Sequence, residues 1–180
     1  MEIKAFLDDI YKQNTVFLKT KQKKITDEFS PKFDSACKWI EKVTNKPLCF
    51  NSYKIYLTTF PRSPYNPSKG YFYFNVYTND NLSNTFLHEV LHFQFIHYWR
   101  NNSKSPVSKL SESDFDYLKE SLTVIVDDDA VPPADFAEIG YLKNHYEFRK
   151  MIHENWLMYY NFDTLVEYSL GILPEFIDQK

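Results

Sequence analysis

The chain has 180 residues, a net charge of −3, 43% apolar residues and 18% aromatic ones. That is enough for one domain with a real core, and it excludes a disordered chain. The near-balanced charge gives no bulk electrostatic reason to bind nucleic acid, and three glycines leave no material for a Gly-rich phosphate loop.

No apolar run approaches the ~20 residues that a membrane span needs. The N-terminal string MEIKAFLDDIYKQN mixes charged with apolar residues, unlike a signal peptide. Cys37 and Cys49 make no disulfide framework. The expectation is a single cytoplasmic domain of 1–180, with no nucleic-acid and no membrane partner.

Ile3, Phe6, Leu7, Ile10, Val16, Phe17 and Ile25 recur at helical spacing and predict a helix over 3–28. Lys19 to Lys24 is its solvated face, because Asp27 and Glu28 follow at once. Ser30-Pro31 opens a second helix to about Val43, with Ser as cap and Pro in the first turn. Tyr53–Phe60 and Tyr71–Thr78 are β-branched and aromatic and read as strands. The stretch 61–70, with three prolines and a glycine, reads as the loop of a long hairpin between them.

Helices are expected over 84–100, 112–126, 143–160 and 162–170. The stretch 127–140 between them reads as a long loop. Its Asp127-Asp128-Asp129 lacks the spacing of a calcium loop. The fold class is α+β, mainly helical, with a small antiparallel sheet packed beside one functional helix.

That helix carries His88-Glu89-Val90-Leu91-His92, the pattern H-E-x-x-H. Residues four apart share a helix face, so both imidazoles can reach one zinc ion. Glu89 beside them can hold a metal-bound water, whose pKa zinc lowers towards ~7, and take its proton. A catalytic zinc needs a third protein ligand. His97 is nine positions from His88, about 900° round the helix and so on the opposite side. Phe95 and Tyr98 stand where the metzincin pattern needs Gly and His. Glu120, in the next predicted helix, is the best-placed candidate. Asp114, Asp116 and His145 remain alternatives.

HEVLH followed by a helix bearing KESLTV resembles the gluzincin branch of the zincin metallopeptidases, of which thermolysin is the familiar member. The run from Gly140 to His145, with Phe148-Arg149, also resembles small bacterial zincin-like proteins. The motif match covers 88–123, and the likeness of arrangement reaches Trp156. The resemblance implies one zinc ion held by His88, His92 and Glu120, with Glu89 as general base. Lys119 departs from it, standing where the thermolysin-type pattern has Asn.

The resemblance also implies an extended peptide or protein substrate added along a sheet edge, for which Tyr71–Thr78 is the natural strand. His145 and Tyr141 are candidate donors to an oxyanion, and Arg149 to a substrate carboxylate. The expected function is therefore zinc-dependent hydrolysis of an amide bond. The alternative is a zincin-like module that binds a protein or senses metal with little turnover.

Overall fold

The computed structural model describes residues 3–59, 64–77, 82–126 and 140–177. Helices dominate it and a small three-stranded sheet lies among them, an α+β architecture. Helix α1 (Ile3–Phe29) ends in a 3-10 turn, Ser30–Lys32, that bends the chain into α2 (Phe33–Thr44). Pro31 sits in that turn, but the expected Ser30 cap does not form. Phe29 and Lys32 keep helical dihedrals, and no side chain caps either element. Without an extended residue at the junction, a hydroxyl has no geometry from which to cap. Asn45 stops α2 in the left-handed region at φ 51°, which Asn tolerates.

Strands β1 (Lys54–Thr58) and β3 (Tyr71–Asn75) fall where sequence predicts them, yet they pair in parallel rather than as an antiparallel hairpin. The return leg is β2 (Tyr65–Asn66), which pairs antiparallel with β3 from inside the proline-rich stretch. Two residues are too few to show an alternating pattern, so this strand read as loop. The order is β1-β3-β2 and the sheet is mixed.

Consequently β3 is not the free edge expected for a substrate peptide. It is paired on both sides, and its Tyr73 N–H also donates to Pro64 O at 3.0 Å. Phe72 and Phe74 of β3 are buried. Tyr71 and Tyr73 alternate with them on the other face, where their rings lie 5.4 and 5.3 Å from that of Tyr56.

Helix α3 (Leu82–Phe95) runs through the middle of the core and continues into a π-helical turn, Ile96–Arg100. Every residue from Glu89 to Phe95 is buried, as expected of a helix surrounded by protein. At one end Phe86 meets Phe29, Phe33 and Tyr53, with ring centroids 5.1, 5.4 and 5.5 Å away. At the other, Phe95 stacks on Phe115 at 5.7 Å. Gln94 pins the 47–49 segment to α3: its Oε1 accepts from Cys49 N–H (2.8 Å) and its Nε2 donates to Pro47 O (3.0 Å).

Helix α4 (Glu112–Leu122) starts at Ser111, whose hydroxyl oxygen accepts from Asp114 N–H. It gives way to a 3-10 turn, Thr123–Ile125, rather than running to Val126. Helices α5 (Gly140–Tyr159), α6 (Phe162–Ile172) and α7 (Pro174–Ile177) complete the chain. Asp127–Asp129 and the loop stretches 60–63 and 127–139 lie outside the described residues. No described helix is long and apolar enough to cross a membrane.

Gly70 closes the turn that joins β2 to β3. It has φ +62°, and a Cβ there would lie 3.0 Å from the Phe50 ring. Gly70→Ala is therefore expected to cost about 1–2 kcal/mol from the left-handed backbone alone. Urea denaturation checks this, and an unchanged midpoint would contradict it.

Candidate metal centre

Three donor atoms converge where α3 meets α4. His88 Nε2 and His92 Nε2 are 3.0 Å apart. Glu120 Oε2 lies 3.7 Å from the first and 3.4 Å from the second. The edge of a tetrahedron of zinc ligands is about 3.3 Å, given metal–ligand distances of about 2.0–2.1 Å, so the three atoms stand at the spacing of three zinc ligands. They form the one cluster of this kind among the described residues. The spacing follows from local structure. His88 and His92 are one turn apart on α3, and Glu120 sits in the last turn of α4, which packs against it.

The burial of these groups is uneven. His92 is 2% exposed and Glu89 6%, while His88 and Glu120 open towards solvent. Burial pushes the His92 imidazole down to about 4, against the raising influence of the Glu120 carboxylate, so His92 is neutral at pH 7 and can offer a lone pair. Glu120 feels burial too, which alone would raise it. Hydrogen bonding to His88 and His92 and the charge of Lys119 outweigh that and hold its carboxyl well below the usual range. Two imidazoles and one carboxylate are the donor set of a catalytic zinc site.

Glu89 follows His88 on α3. Burial raises its carboxyl to about 7, with Glu120 adding to the rise and His88 and Lys119 opposing it. Its Oε2 is buried with no hydrogen-bond partner among the described residues. Leaving such an atom unpaired costs about 1–3 kcal/mol, the pattern expected where a ligand or solvent group completes a site.

The backbone around Glu120 is held from two directions. Its carbonyl is one of those left over at the end of α4. It accepts from Thr123 Oγ1 (2.7 Å) and from Arg149 Nη1 (2.6 Å). Arg149 Nη1 also contacts Thr123 Oγ1 at 3.1 Å. Arg149, expected as a donor to a substrate carboxylate, uses this nitrogen to tie α5 to the backbone of the ligand helix.

His145 lies one turn before Arg149, its ring 4.9 Å from that of Tyr117. It is not in the three-atom cluster, so the structure does not place it as the third ligand. Burial and the Arg149 charge push it down to about 4, leaving a neutral imidazole. Tyr141 is in the first turn of α5, and its side chain lies outside the described residues. His97 is in the π-helical turn and exposed.

Two residues at the site escaped sequence reasoning. The Tyr65 ring of β2 stacks on His92 at 5.7 Å, and its hydroxyl accepts from Lys119 Nζ at 2.5 Å. Lys119, only 5% exposed, also reaches Asp116 Oδ1 (3.0 Å) and Glu120 Oε1 (3.2 Å). A signal for Lys119 was present: it is four residues after Phe115 and three before Leu122, on the apolar stripe of α4. Nothing comparable marks Tyr65. Asp116, weighed as a third ligand, holds Lys119 instead.

No protein-family model matches the chain, and no curated protein or solved structure matches it.

The Glu89 value sets a pH dependence for the metal-free protein. A carboxyl raised from 4.5 to about 7 on folding contributes stability that is present below pH 4.5 and lost as pH rises through 7. Glu89→Gln removes that loss. The stability of the variant relative to wild type should therefore grow between pH 4.5 and pH 8, measured by thermal denaturation with chelator present. A difference that stays constant over the range would contradict the assignment.

Proposed function

We propose that the chain is a zinc-dependent hydrolase acting on amide bonds, most directly a metallopeptidase. His88, His92 and Glu120 would be the zinc ligands and Glu89 the general base. The observation that carries this reading is the convergence of His88 Nε2, His92 Nε2 and Glu120 Oε2 at 3.0–3.7 Å. The buried, unpartnered Glu89 carboxylate oxygen supports it. Bound zinc supplies Lewis-acid chemistry, polarising a carbonyl and acidifying a water.

The chain's own residues do the rest. Glu89, with a carboxyl near 7, is poised both to take a proton and to return it to a leaving amine. A bound cation will lower that value and favour the base form. His145 is neutral and can donate through a ring N–H to a developing oxyanion, with Tyr141 as the second candidate on the same helix. β2 is the edge strand that borders the ligands, through Tyr65 on His92. An extended peptide would lie along it. Residence in the cytoplasm belongs to the same proposal and is supported by two unbridged cysteines.

The test is cleavage of a mixed-sequence peptide library by zinc-loaded wild type and Glu89→Gln, read by mass spectrometry. Wild type is expected to cleave and the variant to lose at least about 10²-fold in rate, the lower range of a general-base contribution, while zinc content stays equal. Equal cleavage by both proteins would overturn Glu89 as the base. No cleavage by either, with zinc bound, would overturn the peptidase and leave the metal-holding binding module.

A further inference from the structure

The Glu120 carboxylate has two oxygens, and the fold gives them different partners. Oε2 faces the two imidazoles at 3.4 and 3.7 Å. Oε1 lies 3.2 Å from Lys119 Nζ. A carboxylate near a divalent ion can bind through one oxygen or both, so what holds the second oxygen matters.

Lys119 is well suited to hold it. Its ammonium has three donor hydrogens and three oxygen neighbours: Tyr65 Oη at 2.5 Å, Asp116 Oδ1 at 3.0 Å and Glu120 Oε1 at 3.2 Å. Those neighbours come from β2 and from two turns of α4, so the charge is triangulated and cannot follow Glu120 if the carboxylate turns. The lysine side chain is 6% exposed, leaving it no solvated alternative. Asp116 and Glu120 bring two negative charges to this one ammonium, so moving it away would leave two carboxylates facing each other.

We propose that Lys119 is a positioning residue that keeps Glu120 a one-oxygen metal ligand. It reserves Oε1 for itself and presents Oε2 to the ion. The ion would then be held by three protein atoms, leaving a coordination position for a further ligand. Tyr65 completes the device by bracing the ammonium while its ring packs on His92, so one β2 side chain orients two ligands at once. A buried lysine next to a ligand carboxylate otherwise looks counterproductive, because its charge repels a cation. Here the repulsion is offset by Asp116, and the gain is a fixed carboxylate. The proposal rests on the metal reading above.

The experiment uses cobalt(II) in place of zinc. Four-coordinate cobalt(II) absorbs visible light several-fold more strongly than five- or six-coordinate cobalt(II). Spectra are compared at one cobalt per chain, confirmed by elemental analysis, for wild type, Lys119→Met and Lys119→Gln. Circular dichroism establishes that each is folded. Wild type is expected to show the intense four-coordinate band. Both variants are expected to lose it several-fold at equal occupancy, because Oε1 is released and joins the ion. A purely structural role for Lys119 would lower stability or occupancy but leave the band per bound cobalt unchanged, and that result overturns the proposal.

A weak band in wild type overturns it as well and needs no folded variant. In either case the metal reading survives, since cobalt is bound. Wild type that binds no cobalt overturns the metal centre itself, and this proposal with it.

Discussion

Two imidazoles one turn apart on a helix whose 89–95 stretch is buried throughout set the central constraint. His92 is almost fully enclosed and Glu89 nearly so, and polar groups taken out of water need partners. The rest of the site is arranged to meet that need. Helix α4 docks so that its last turn brings Glu120 to both histidines. Ser111 fixes where α4 begins, while Thr123 and Arg149 take the Glu120 carbonyl where it ends. Tyr65 comes from the sheet to cover His92 and brace Lys119. Within the ligand-and-base group, Glu89 Oε2 is the buried side-chain atom with no hydrogen-bond partner among the described residues.

Charge explains why this arrangement suits a divalent ion. Glu120 is held ionised, Asp116 offsets Lys119, and Glu89 sits at the boundary of ionisation. The site without metal therefore gathers carboxylate charge next to two imidazole nitrogens. A cation bound there would relieve the carboxylate repulsion that helps raise Glu89, and it would take up the two Nε2 atoms that lie 3.0 Å apart. On the proposed function, metal binding and the readiness of the base would be coupled through the same few ångströms.

Much of this was legible in local sequence, and the parts that were not share a physical reason. The i, i+4 spacing of His88 and His92 needs only a helix, and apolar periodicity supplied one. Glu120 followed from a second helix after a short connection. The α+β class followed from two aromatic strands among long helical patterns. The failures are long-range. The parallel pairing of β1 with β3 depends on a two-residue β2 that carries no periodic signal. Arg149 bonds a carbonyl 29 positions away, and Tyr65 meets Lys119 across 54. Neither partner can be inferred from neighbours in the chain. Lys119 itself read as a departure from the zincin pattern, because a charge on an apolar stripe makes sense only once its three acceptors are in place.

The most direct measurement is zinc per chain, by elemental analysis of protein purified without a metal-affinity tag, for wild type and Glu120→Ala side by side. One zinc is expected in wild type and a large loss in the variant, because removing Oε2 leaves two imidazoles without the third ligand atom. Wild type without zinc after loading at neutral pH would contradict it, and so would a variant that holds as much zinc as wild type.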